Sequence, residues 1–227
     1  MIRDCSIYEC EGDLEYCILC LPGRGGDGDT IADFYAHCSG LDKCVFVGIT
    51  PEGYCWYPLP RNPDDQAAAV AGIPRARGAI EEAVTIIGGK YNIPKSKTAI
   101  VGFSAGGVMA IETAAHSVEP FAAVVAHAGA ILDPKSLPKS RHPTPVVLIH
   151  AKDDDCFAWD ERFLPMRDAL LLQGYDTFSL EHDLGGHRIT EYDVRQAGLF
   201  LSGWFEIENE YPQTDILIEP CHFESAL

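Results

Sequence analysis

The chain has 227 residues, 47% of them hydrophobic and 22% charged, and its 34 acidic against 17 basic side chains give a formal net charge of −17. That balance is the one of an ordinary globular domain, which excludes disorder as the dominant state, and no stretch reaches the ~18 apolar residues of a membrane-spanning helix. So negative a surface repels phosphate backbones and anionic headgroups, which argues against a nucleic-acid partner and against stable membrane attachment.

Taken in chain order, Met1 to Cys5 shows no apolar run of a secretory signal. Residues Ile2–Tyr16 read as a small hairpin about Glu11-Gly12-Asp13. Glu15–Leu21 is the first apolar strand-like run, followed by a helix over Thr30–Cys38 that Asp29 or Thr30 would cap. A strand over Lys43–Ile49 leads to a long helix over Asp64–Lys90, capped by Asp64 or Asp65, in which Pro74 is expected to kink or split the helix near Ile73. The alternation continues with strands Thr98–Phe103, Phe121–Ala126, Pro145–Ala151 and Thr177–His182, and helices Ala105–Ser117, Asp160–Gln173 and Ile189–Phe205. Beyond Phe205, in a C-terminal extension over 206–227, Thr214–Ile218 reads as a further strand or a packing segment. Continuous apolar strands alternating with helices predict one α/β domain over 1–227, a mostly parallel sheet with helices on both faces and no linker to a second domain. Nine cysteines, an odd number scattered over the chain, read as free thiols in a reducing cytoplasm. Composition leaves monomer and homodimer both open.

The strongest local signal is Gly102-Phe103-Ser104-Ala105-Gly106-Gly107, which ends one strand and opens a helix. A bare G-x-S-x-G is a weak pattern, but strand, turn and helix around it are what a nucleophile elbow requires: small residues at 102 and 106 let the backbone turn sharply and lift the Ser104 hydroxyl above the sheet edge. A serine hydroxyl needs a base. Among the eight histidines, His187 is placed best, after the last strand and behind Gly185-Gly186, where the loop can turn back over the carboxyl edge of the sheet. His150 and His182 belong to strand ends and read as packed structural histidines. A carboxylate should follow the penultimate strand, and Asp153-Asp154-Asp155 does; the same run also reads as a solvated turn, or, with too few oxygen ligands, as a metal site, and no metal is expected. The Gly-rich Leu21–Gly28 lacks the spacing of a phosphate cradle and fits better as the second wall of an oxyanion hole, made by the backbone N–H groups of Arg24 and Ala105. Trp56, Tyr57 and Phe157, with Trp159, lie on loops near the same edge and are candidates to hold an acyl group, or else to pack the loops; Arg24 and Arg61 are candidates to meet a substrate carboxylate. Cys17 and Cys20 have CxxC spacing, but three apart on a strand they face opposite sides, which argues against a redox or zinc site.

Together these residues resemble the phospholipase/carboxylesterase family of α/β-hydrolases, which includes the acyl-protein thioesterases, over roughly Cys17 to Phe205. Gly102–Gly107 looks like the family's G-F-S-Q-G-G elbow, and Ile149-His150-Ala151-Lys152-Asp153-Asp154 is similar to its I-H-G-x-x-D segment, a spacing that selects Asp154. Gly186-His187 matches the family's G-H, and Tyr54-Cys55-Trp56-Tyr57-Pro58 looks like the W-Y-P stretch of some members. The resemblance implies a Ser104–His187–Asp154 triad that cleaves small-molecule carboxylic esters or thioesters through an acyl-enzyme, without a cofactor. The chain departs from the family at Pro22-Gly23 for His-Gly, Ala105 for glutamine, Ala151 for glycine and Cys156-Phe157-Ala158 for V-V-P. These departures leave room for a ligand-binding protein on a hydrolase scaffold, and the same triad would serve an acyltransferase or a lactone hydrolase.

Overall fold

The computed structural model describes residues 2–38, 40–58, 66–207 and 216–222. Among the described residues eight strands form one sheet: β1 (Ile2–Glu9), β2 (Tyr16–Leu21), β3 (Cys44–Pro51), β4 (Thr98–Phe103), β5 (Ala123–His127), β6 (Val146–Ala151), β7 (Thr177–His182) and β8 (Glu219–Pro220). Their order is β1-β3-β2-β4-β5-β6-β7-β8, parallel from β3 to β7, with β1 and β8 antiparallel at the two edges. Helices α1 (Gly28–Ala36), α2 (Ala67–Tyr91), α3 (Ala105–His116), α4 (Leu164–Leu172) and α5 (Glu191–Trp204) supply the crossovers.

The central strands are buried on both sides, so each contributes alternate residues to two cores. Leu19, Val47, Ile100, Val124 and Leu148 face α2, α3 and α4, while Ile18, Phe46, Val101, Val125 and Val147 face α1 and α5. Cys17 and Cys20 fall in opposite cores, as their strand spacing requires, and burial pushes the Cys17 thiol up to about 12.

Several expectations change. The N-terminal hairpin does not form: both edges of β2 are taken, by β3 and β4, so β1 crosses over and pairs antiparallel with the outer edge of β3. Helix α1 starts earlier than expected and is capped by Asp27, whose carboxylate accepts from the Thr30 N–H at 3.0 Å. Asp64 and Asp65 lie outside the described residues, and Gln66 occupies the cap position of α2 without a side-chain bond. Pro74 does not split α2. Its ring lies on the exposed side, where the Val70 carbonyl it leaves without a donor can be hydrated. The helix expected over Asp160–Gln173 begins as a π-turn over Trp159–Phe163, where Pro165 removes the donor that an α-register would need at Glu161. At the C-terminus the short strand is Glu219–Pro220, not Thr214–Ile218, of which residues 214 and 215 lie outside the described residues. Among the described residues no helix is long and apolar enough to cross a membrane.

Candidate active site

Ser104 stands between the end of β4 and the first turn of α3, at φ 53° and ψ −118°. A non-glycine residue held there stores about 1–3 kcal/mol of backbone strain, which the surroundings must hold in place. Three contacts do so. The Ser104 N–H donates to the His127 carbonyl at 2.9 Å, its carbonyl accepts from the Val108 N–H at 3.0 Å, and Gly102 lies so close to α3 that a Cβ there would come within 2.2 Å of the Gly106 carbonyl oxygen.

His187 and Asp154 meet Ser104 across the sheet's carboxyl edge. His187 Nε2 lies 2.8 Å from Ser104 Oγ, and His187 Nδ1 lies 2.8 Å from Asp154 Oδ2. An ionised carboxylate only accepts, so Nδ1 carries the hydrogen and Nε2 presents its lone pair to the serine hydroxyl. The Asp154 side chain is fully buried, and its other oxygen, Oδ1, accepts from the Cys156 and Phe157 N–H groups at 2.8 Å each. Phe103 and Phe157 flank the imidazole, with ring centroids 5.2 Å and 5.6 Å away, the second edge-on. The imidazole is left only 16% exposed, a site from which most water is excluded.

The loop after β2 runs beside the elbow. A Cβ on Gly23 would lie 3.2 Å from Ser104 Cβ, and one on Gly106 would lie 2.6 Å from the Pro22 carbonyl oxygen. Ala105 is the first residue of α3, so its N–H has no carbonyl within the helix and points out of its positive end. Arg24 follows Gly23 on the same loop, with an exposed side chain whose charge reaches Tyr57 and Cys156. Trp56 is buried and its indole Nε1–H donates to the Pro22 carbonyl at 2.8 Å, so the ring anchors the loop beside the serine. Tyr57 is also buried, against α2 at Gly72, and burial pushes its phenol well up. Phe157 is half-buried against the imidazole, and Trp159 stacks on Phe163 at 4.2 Å. Arg61 lies outside the described residues.

Two side chains beside these three residues, His150 and Asp153, have no functional role assigned to them by the sequence. His150 Nε2 donates to the Phe157 carbonyl at 2.8 Å and lies 3.7 Å from Asp154 Oδ2; burial, above all, lowers its pKa, so the ring is neutral. Asp153, adjacent to Asp154, accepts two N–H groups from the loop that carries His187. The signal for both is their place in the Ile149–Asp154 segment, whose spacing selects Asp154 but assigns no contact to Asp153 or His150. His182 pairs instead with Asp193 at 2.7 Å, within the capping box of α5.

Asp154, Cys156 and His187 also present metal-ligand atoms that all lie within 4.8 Å of one another. The Asp154 oxygens are already engaged by two N–H groups and the imidazole, so a cation here would compete with the hydrogen-bonded chain.

Residues 40–213, which include Ser104, Asp154 and His187, match the phospholipase/carboxylesterase family model. Among solved structures, the esterase PE8 is similar at 24% identity and a TM-score of 0.77, over 89% of this chain and 98% of that one. The acyl-protein thioesterase 2 of Zea mays is similar at 15% identity and a TM-score of 0.74, over 88% and 98% of the two chains. The Bacillus cereus carboxylesterase is similar at 13% identity and a TM-score of 0.74, over 90% and 95%. With the family model matching residues 40–213, most of this chain, and the fold shared by these structures, the chain belongs to the phospholipase/carboxylesterase family of α/β-hydrolases.

Proposed function

We propose that the protein is a serine hydrolase of small carboxylic esters or thioesters, with Ser104 as nucleophile, His187 as general base and acid, and Asp154 as the carboxylate that orients and stabilises the imidazolium. The observation that carries this reading is the unbroken chain of two 2.8 Å hydrogen bonds from Ser104 Oγ through His187 to the buried Asp154. As Oγ attacks the acyl carbon, its proton passes to His187 Nε2, and the carbonyl electrons move to oxygen. The Ala105 and Arg24 N–H groups receive that oxyanion; losing one such donor typically raises a barrier by about 2.7–4 kcal/mol. Collapse transfers the Nε2 proton to the departing alcohol or thiol and leaves an acyl-serine. Water, giving its proton to His187, then releases the acid and restores the hydroxyl. None of these steps requires a cofactor.

Phe157, half-buried against the imidazole, offers an apolar face on which an acyl group would rest, while the buried Trp56 and Tyr57 hold the loops around it; Arg24, exposed on the loop after β2, favours substrates with a negative charge near the scissile bond. A cytoplasmic setting is part of the proposal, because Cys17, Cys20 and Cys44 pack into strands as buried free thiols. The test is turnover of p-nitrophenyl acetate, together with covalent labelling by a fluorophosphonate. Wild type is expected to do both, and Ser104→Ala neither while keeping its fold. Undiminished turnover in Ser104→Ala would remove Ser104 from the mechanism, and an unlabelled, inert wild type would favour a binding protein on this scaffold.

A further inference from the structure

We propose that Asp153 is a positioning residue that braces the His187 loop, so that the two adjacent aspartates divide the work: Asp154 holds the imidazole and Asp153 holds the main chain that delivers it. The inference rests on the triad reading above and adds to it a residue that touches no reacting atom. Asp153 Oδ1 accepts from the Gly185 N–H and the Gly186 N–H at 2.7 Å each. These are the two residues immediately before His187, and a Gly-Gly pair is the most freely rotating dipeptide available. A loop of that kind would not by itself keep an imidazole within 2.8 Å of both Ser104 and Asp154. Two charge-assisted bonds to one oxygen fix its main chain where its own residues cannot. The Gly186 N–H, followed by the Gly185 N–H and the Arg188 charge, holds the Asp153 carboxyl below the usual range against a partial loss of hydration, so the brace is charged at neutral pH.

The neighbouring link between the same two loops is of a different kind. The Lys152 ammonium pairs with Asp183 at 2.8 Å, but both side chains are well exposed, and such pairs contribute little. Asp153, by contrast, bonds to backbone, so its geometry does not depend on a second mobile side chain.

The experiment measures kcat and KM of Asp153→Ala and Asp153→Asn on p-nitrophenyl acetate, per active site titrated with a fluorophosphonate, together with amide hydrogen exchange at Gly185 and Gly186. Asp153→Ala is expected to lower kcat by about 10- to 100-fold, the cost of misplacing a catalytic group by about 1 Å. KM should stay within about twofold, and exchange at Gly185 and Gly186 should quicken. Asp153→Asn keeps an acceptor oxygen and should recover most of the loss. A merely structural aspartate would change the number of titratable sites and leave kcat per site alone; that result would overturn the proposal, as would an Asn variant as impaired as the Ala variant. If wild type itself neither labels nor turns over, the triad reading fails. The exchange of the two glycine amides then still decides whether Asp153 holds the loop: unchanged exchange in Asp153→Ala overturns the brace.

Discussion

A Cβ built on Gly106 would lie 2.1 Å from the carbonyl oxygen of Leu21, so the first turn of α3 rests against the end of β2 backbone to backbone. That contact sets the distance between the serine elbow and the Pro22–Arg24 loop, the two walls of the proposed oxyanion hole. Gly106→Ala should therefore cost more than a change in helix propensity, which on its own would favour alanine. Because the obstructing atoms are main chain, the cost should reach at least the 1–3 kcal/mol typical of overpacking. Urea unfolding checks it: the midpoint should fall with the slope unchanged, and an unaltered midpoint would contradict the close approach.

Trp56 anchors the same loop from the other side, through its indole N–H on the Pro22 carbonyl. Trp56→Phe keeps an aromatic ring but leaves that buried carbonyl without its donor, at a cost of about 1–3 kcal/mol in stability. Because the carbonyl belongs to the loop that carries the Arg24 N–H, kcat should fall severalfold while KM changes less. Steady-state kinetics on a short-chain ester measures the split. A rise in KM at unchanged kcat would instead place Trp56 in acyl binding.

Stability should decline on acidification above the range where carboxylates titrate. His127 is buried, bonded to the Tyr35 hydroxyl at 2.7 Å, and burial lowers its pKa from 6.5 to about 4. The unfolded chain therefore takes up a proton that the folded chain refuses: the full stability is present above pH 6.5 and is lost as pH falls toward 4. The slope is at most about 1.4 kcal/mol per pH unit for one such group. His150 and His116, both lowered chiefly by burial, act in the same direction, while Glu112, raised by burial, opposes them where its carboxyl takes up a proton above its ordinary range. Urea unfolding at pH 7.5 and pH 5 checks the sign, and His127→Gln should flatten the difference.

Much of this architecture is legible in the amino-acid sequence. Strands β4 and β7 have the bounds expected from their apolar runs, and the remaining central strands and helices differ by a few residues at their ends. Strand and helix periodicity and the sharp turn at Gly102–Gly106 are set by residues within a few positions of one another, so a linear reading finds them. The elbow at Ser104 is local in the same sense, and so is the placement of a carboxylate and a histidine after the next-to-last and last parallel strands.

The partner of each of those residues is not local. Ser104 and His187 are 83 positions apart, and His187 and Asp154 are 33 apart. The spacing of the Ile149–Asp154 segment points to Asp154 for the ring through the family resemblance, but nothing within either segment says that Asp153 turns to the glycines. β1 likewise carries a good strand pattern but no mark of which edge it will join, and the choice of β3 follows only once β2 is flanked on both sides. Composition and local pattern dictated the elements and the kinds of chemistry they could present. Which groups face each other was decided by the packing of loops at the sheet's carboxyl edge, because a hydrogen bond depends on tenths of an ångström, and chain order carries no information at that scale.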